Sequence, residues 1–263
     1  MASVLPLPTV AASSEPPPLP PGSAKSTLGW MLRLYGPLGT ARLVAAKLAG
    51  RTGTSNEYAE WRDRLLDAHL GIDTAAPLEL DAIAETGTHG DADTLAHAVE
   101  YRGTSGVDAA AMLSRLPIDL PSTHFVDLGC GKGRVLAIAR SMPFASVTGV
   151  EFCPDLARTA EANLSTARLP QRSGPAHVIE GDARTTDWPA GPLVVYLYNP
   201  FGRAILDAVE RSLAASLIAH PRPCTIVYAN PQHAATFETP DWHAVATGDE
   251  WWAVYRWASL CDE

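Results

Sequence analysis

The sequence predicts an α/β fold, a doubly wound parallel sheet with a helical segment ahead of it and an antiparallel C-terminal hairpin behind it. Three observations predict it. From residue 123 onward, short apolar runs alternate with helical patterns, as successive βαβ units do. The first run, His124-Phe125-Val126-Asp127-Leu128, passes through three alternating glycines, Gly129, Gly131 and Gly133, directly into a helical pattern. The last two runs, 242–247 and 251–257, flank a Gly248-Asp249 turn and so pair as a hairpin.

Composition bounds what such a fold can be. A chain of 263 residues, 46% hydrophobic and 19% charged, holds one full α/β domain with a segment to spare. No apolar run is long enough to span a membrane. The net charge of −9 opposes non-specific attraction to a phosphate backbone, so no nucleic-acid partner is expected. The four cysteines form no Cys-x-x-Cys pair and the eight histidines are dispersed, so no metal site is expected. With no signal-peptide pattern, the expected location is a reducing cytoplasm. Nothing in the sequence sets the oligomeric state.

Residues 1–24 are rich in Pro, Ala and Ser and read as a disordered tail, too poor in buriable surface to offset the entropy of ordering. Residues 25–100 read as a helical N-terminal region. Leu28, Trp30, Met31, Leu34, Leu38, Leu43, Val44 and Leu48 fall at helical spacings, and Pro37 with its neighbouring glycines divides the stretch into two helices. Lys25, Arg33, Arg42, Lys47 and Arg51 have no acid among them. Two readings stand: a helical pair packed on the following domain, or a basic amphipathic contact of 25–51 with the surface of an anionic membrane. An acidic helix over 57–70 follows, and 71–93 carries little signal.

The third domain segment is 101–263. Its opening loop, Tyr101-Arg102-Gly103-Thr104-Ser105-Gly106-Val107, leads into a helix ending near Leu116, which Thr104 or Ser105 caps and Pro117 terminates. Lying one helix ahead of the glycine turn, the loop is also placed to cross a ligand pocket. Strands are expected near 123–128, 146–151, 176–180, 193–198 and 224–229, with helices near 133–141, 154–168 and 203–219. Lys132 and Arg134, at a helix N-terminus where the dipole disfavours cations, are expected in solvent.

The glycine turn carries the first chemistry. Glycines at these positions let the backbone approach a ligand and tolerate positive φ. A dinucleotide site spaces them Gly-x-Gly-x-x-Gly, whereas here the spacing is Gly-x-Gly-x-Gly with Asp127 two positions ahead. Another nucleotide site, or simply a tight strand-to-helix turn, also fits the glycines alone. About twenty residues on, the second strand ends at Glu151, where a ribose diol meets its carboxylate in such folds; the plain alternative is an acid facing the dipole of the helix begun by Pro154. The third strand runs into Gly181-Asp182-Ala183, and the fourth ends at Asn199-Pro200-Phe201-Gly202. Asn199 reads either as a group at a reaction centre or as a helix cap.

Taken in order, these marks resemble the class I S-adenosylmethionine-dependent methyltransferases over residues 101–263. The resemblance implies a Rossmann-like seven-stranded sheet, with an antiparallel seventh strand beside the fifth. It implies S-adenosyl-L-methionine as cofactor: Asp127, Gly129, Gly131 and Gly133 at the methionyl end, Glu151 at the ribose, and Asp182 and the Ala183 backbone at the adenine. Asn199, Pro200 and Phe201 resemble the motif of amino-group methyltransferases, in which the polar residue and a backbone carbonyl accept hydrogen bonds from the target nitrogen. That motif usually has two prolines, and this chain has one. Tyr101-x-Gly103-Thr104, together with the later marks, is partly similar to the histone-lysine methyltransferases that lack a SET domain. This implies a cofactor-covering loop around Tyr101 and Thr104 and a narrow channel lined by Asn199 and Phe201, and Asn199 is also expected to bind the cofactor. The expected acceptor is a nitrogen of a protein side chain or small molecule. Two other functions fit less of the pattern: a cofactor-binding regulator or scaffold without turnover, and aminopropyl transfer, which usually shows a further acid where this chain has Asn199.

Overall fold

The computed structural model describes residues 24–50, 56–75, 105–248 and 251–258. The proline-rich tail through residue 23 and the loop residues Tyr101 and Thr104 lie outside the described residues. The elements are α1 (Ala24–Leu48), α2 (Asn56–Leu70), α3 (Gly106–Leu113), β1 (His124–Leu128), α4 (Arg134–Arg140), β2 (Ser146–Glu151), α5 (Pro154–Thr166), β3 (Ala176–Glu180), β4 (Leu193–Tyr198), α6 (Arg203–Ala219), β5 (Cys224–Ala229), β6 (Trp242–Gly248) and β7 (Trp252–Trp257). No helix among the described residues is long and apolar enough to cross a membrane.

The seven strands lie in the order β3-β2-β1-β4-β5-β7-β6. The first five are parallel, and β7 enters antiparallel between β5 and β6. The α/β sheet with its terminal hairpin is therefore as expected. Strand order reverses between β1 and β4, so the crevice at their C-terminal ends is where such sheets bind ligands. Burial on both faces explains the nearly continuous apolar runs. Along β4, Val194 and Tyr196 join the core that includes Leu136 and Ile138 of α4, while Val195 and Leu197 join that of Leu206, Val209 and Leu213 of α6.

The N-terminal segment shares the first of these cores, with Trp30, Leu34 and Tyr35 of α1 packed among Leu66, Leu113 and Leu136. A break at Gly36 (φ 66°, ψ 177°) divides α1 just before Pro37. A Cβ at Gly36 would lie 2.8 Å from Cε1 of His69, so glycine is needed both for its φ and for the close approach of α2.

Lys132 and Arg134 depart from expectation, since both are buried rather than solvated. The reason lies far upstream: α2 and the turn after it cover the start of α4. Arg134 donates from Nη1 to Asp63 Oδ2 (2.7 Å), from Nε to Thr74 Oγ1 (2.8 Å) and from Nη2 to the Thr74 carbonyl (3.0 Å). Asn163 of α5 ties the same turn down. Its Nδ2 donates to the carbonyls of Asp73 (2.9 Å) and Lys132 (2.8 Å), and its Oδ1 accepts from the Asp73 amide (2.9 Å). Nζ of Lys132 faces Asp73 at 3.4 Å. Paired carboxylates and carbonyls thus offset the dipole that disfavours cations at this helix end.

Candidate active site

The turn after β1 is built on left-handed backbone, with φ of 67° at Gly129, 54° at Gly131 and 77° at Gly133. At Gly129 a second constraint applies: a Cβ would sit 2.5 Å from Cβ of Pro200. The glycine turn and the turn at the end of β4 are thus pressed together, which couples the two halves of the crevice.

Beneath the turn, Glu151 is 4% exposed. Its Oε2 accepts the Gly131 amide (2.9 Å) and its Oε1 the Cys153 amide (3.0 Å). Burial raises its pKa, and these amide bonds pull against that rise. The Phe152 amide bears on the carboxylate as well, and of its roughly four acceptor positions some capacity remains for a further donor. Asp127, also buried, has its pKa pushed well above the usual carboxyl range, first by burial and then by the charge of Glu151.

A pKa raised on folding makes the native carboxyl hold its proton to higher pH than the unfolded one. Stability is then fully present below the ordinary value of 3.8 and declines as pH rises through the raised one. Asp127→Asn is accordingly expected to flatten the fall in unfolding free energy of the cofactor-free protein as pH rises above the ordinary value of 3.8. Urea titrations across that range measure it, and identical slopes for variant and parent would contradict the assignment to Asp127.

A cleft opens beside the turn, lined by Gly129, Val150, Phe152, Gly181, Asp182, Ala183, Phe201 and Ile205. Asp182 is already engaged: Oδ1 accepts the Arg184 amide (2.8 Å), and Oδ2 accepts Nε (2.8 Å) and Nη2 (2.6 Å) of the same residue. An adenine amino group would therefore share Oδ1 with a backbone amide.

Asn199 follows the last residue of β4 and precedes Pro200, which packs on the glycine turn. It is buried, adopts φ 40°, and its Oδ1 accepts a hydrogen bond from the Tyr228 hydroxyl (3.1 Å). A non-glycine residue in this conformation stores strain of order 1–3 kcal/mol. The residue before α6 is Gly202, so Asn199 does not cap that helix. Pro200 packs on Gly129, and Phe201 is buried against the cleft.

Of the expected site residues, Gly129, Asp182, Ala183 and Phe201 line the cleft; Glu151 bonds Gly131 beneath the turn, the buried Asp127 senses the charge of Glu151, Pro200 packs on Gly129 with Asn199 before it, and Gly133 faces Ala160 of α5. Sequence reasoning missed Tyr228, read only as a residue of an apolar strand. A signal was present, because Asn230-Pro231 after β5 repeats Asn199-Pro200 after β4. Among the described residues no cluster of His, Cys, Asp and Glu is suited to a metal ion. The donor set fits a nucleoside cofactor: a buried carboxylate with acceptor capacity for a diol, an apolar slot with an acid beside it for a purine, and a backbone turn open to close approach.

No curated protein sequence matches the chain. Its fold is similar to an RNA methyltransferase from Salinibacter ruber, solved with S-adenosyl-L-homocysteine, at 24% identity over 62% of this chain and 95% of that one (TM-score 0.41). It is similar as well to a TehB-like S-adenosylmethionine-dependent methyltransferase from Corynebacterium glutamicum (12% identity, 60% of this chain and 89% of that one, TM-score 0.42). A third is a predicted N6-adenine-specific DNA methylase from Listeria monocytogenes (13%, 68% and 55%, TM-score 0.45), of whose length the chain spans little more than half. The expected absence of a nucleic-acid partner is corrected by this company of RNA and DNA methylases. The physical reason is that a net charge summed over the chain does not describe the local field at a substrate face. Residues 126–197, from β1 through β4, match the family model described as a methyltransferase domain.

Proposed function

We propose that the protein transfers the methyl group to a nitrogen atom, held at Asn199. The observation that carries this reading is a buried, strained asparagine at the C-terminal end of β4, pressed through Pro200 onto the cofactor turn at Gly129. S-adenosylmethionine supplies an electrophilic methyl group on a sulfonium. What remains for the protein is to place a nucleophile in line, free its lone pair and exclude water. Glu151 holds the ribose hydroxyls, Asp182 and the Ala183 backbone meet the purine edge, and Asp127 with the glycine turn borders the methionyl end. The Asn199 main-chain carbonyl and the second lone pair of Oδ1 accept the N–H groups of an amine, which turns its lone pair toward the methyl group. Phe201 forms the apolar wall beside it.

The direct test is transfer of labelled methyl from the cofactor into cell extract, separated into protein, small-molecule and nucleic-acid fractions. Hydrolysis of the labelled fraction should then yield N-methyl products; recovery of O-methyl products alone would overturn the nitrogen assignment. Asn199→Ala is expected to slow transfer about tenfold to a hundredfold, roughly 1.4–2.7 kcal/mol of transition-state stabilisation. Cofactor affinity should stay nearly unchanged, because the lost interaction serves the reacting geometry. An unchanged rate would remove Asn199 from the reaction.

A further inference from the structure

Two adjacent strands end in the same device. Tyr198 of β4 pairs with Ala229 of β5, so the next residues, Asn199 and Asn230, stand side by side. Both have left-handed backbone, φ 40° and 50°, and each precedes a proline. These are the two non-glycine residues with positive φ among the described residues. The turn after β5 is itself held. Its Asn230 amide donates to the Trp251 carbonyl (2.7 Å), and its Gln232 amide donates to the Asn230 carbonyl (2.8 Å).

Between the two turns lies the hydroxyl of Tyr228, whose ring is fully buried and packs edge-on against Phe237 at 6.0 Å. The hydroxyl takes the His233 amide as donor at 3.4 Å and gives its own proton to Asn199 Oδ1 at 3.1 Å. A phenol has one proton to donate. An amide arriving from the second turn occupies the acceptor side of the oxygen and so directs that proton to Asn199. Burial pushes the Tyr228 pKa up to about 12, so the proton is present at neutral pH.

We infer that Tyr228 is a positioning residue for methyl transfer: held by the turn after β5, it fixes the orientation of the Asn199 side-chain amide. The inference rests on the proposed role of Asn199. Without the hydroxyl, the amide of Asn199 is free to rotate end for end, presenting Nδ2, a donor, where the acceptor amine needs Oδ1. The turn after β5 thus acts on the reaction although it is assigned no contact with the methyl acceptor.

Tyr228→Phe in the full chain keeps the ring and removes only the hydroxyl; Tyr255→Phe, in the same aromatic cluster, is the control. Tyr228→Phe should lower the rate of methyl incorporation about tenfold or more through kcat, with cofactor affinity by calorimetry within about twofold of the parent. The double variant with Asn199→Ala should be no slower than Asn199→Ala alone, since both changes disable one unit. Parental turnover in Tyr228→Phe, or multiplicative losses in the double variant, would overturn the inference. A second readout needs no methyl acceptor. In 15N-labelled protein the Asn199 side-chain amide resonances should move in Tyr228→Phe and stay in Tyr255→Phe. Unmoved resonances would overturn the inference at the hydrogen bond itself, whereas moved resonances in a protein that methylates no fraction would sink the proposed function, and with it the role in transfer, while the orientation of Asn199 by Tyr228 is upheld.

Discussion

Asp63→Ala is expected to cost about 3–5 kcal/mol of folding stability. The Asp63 carboxylate is the charge partner of Arg134, whose side chain is 3% exposed. Removing the acid takes the carboxylate from Nη1 of a buried guanidinium whose Nε and Nη2 bond the Thr74 hydroxyl and carbonyl. The loss is costly because the charge was desolvated on folding and no longer faces that carboxylate. Two comparisons separate this cause from general damage to α2. Glu60→Ala breaks the exposed pair with Arg64 in the same helix and should cost no more than about 0.5 kcal/mol. Asp63→Leu combined with Arg134→Met replaces the pair by apolar groups and should recover much of the loss. Urea unfolding of the four proteins measures all of this, and an Asp63→Ala loss below about 1 kcal/mol would show that Arg134 finds water or another partner.

Much of the central sheet is legible in the sequence because its inner strands β1, β2, β4 and β5 are buried on two faces and bounded by turn chemistry. Leu193 to Tyr198 cannot form a half-solvated element, and Asn199-Pro200 stops it. The first half of the cofactor crevice is legible for a related reason. Gly129, Gly131, Gly133 and Glu151 lie within one βαβ unit, so their spacing along the chain maps onto their spacing in space. Arg134 was misread because that mapping fails over long separations. Its partners Asp63 and Thr74 lie 71 and 60 residues upstream, and nothing local distinguishes a buried arginine from a solvated one. Tyr228 was missed because a tyrosine in an apolar strand advertises its ring, while its hydroxyl finds Asn199 across 29 residues only once β4 and β5 pair. Asp182 falls between these cases: its position at the crevice follows from the strand order, but its engagement by Arg184 depends on a side-chain conformation that composition does not set.

Glu151→Ala should weaken S-adenosylmethionine binding by about 2–4 kcal/mol, roughly thirtyfold to a thousandfold in Kd. Two losses add in the same direction. The proposed ribose diol loses a charged acceptor, and the amides of Gly131 and Cys153 lose the carboxylate that now orders the turn. Glu151→Gln separates them, because it keeps the size and one acceptor oxygen but puts a donor where the second hydroxyl or amide arrives. It should fall between parent and alanine. Asp155→Ala is the contrasting change, since that carboxylate lies in the first turn of α5 and pairs with Arg158 at the surface. Its loss should alter cofactor affinity by no more than a few tenths of a kcal/mol. Calorimetric titration of the three variants against the parent makes the comparison, with melting temperatures to show that each is folded. Equal affinities for Glu151→Ala and Asp155→Ala would move the ribose out of this crevice. A large loss for alanine with parental affinity for glutamine would keep the ribose elsewhere too, and leave Glu151 only the task of shaping the turn.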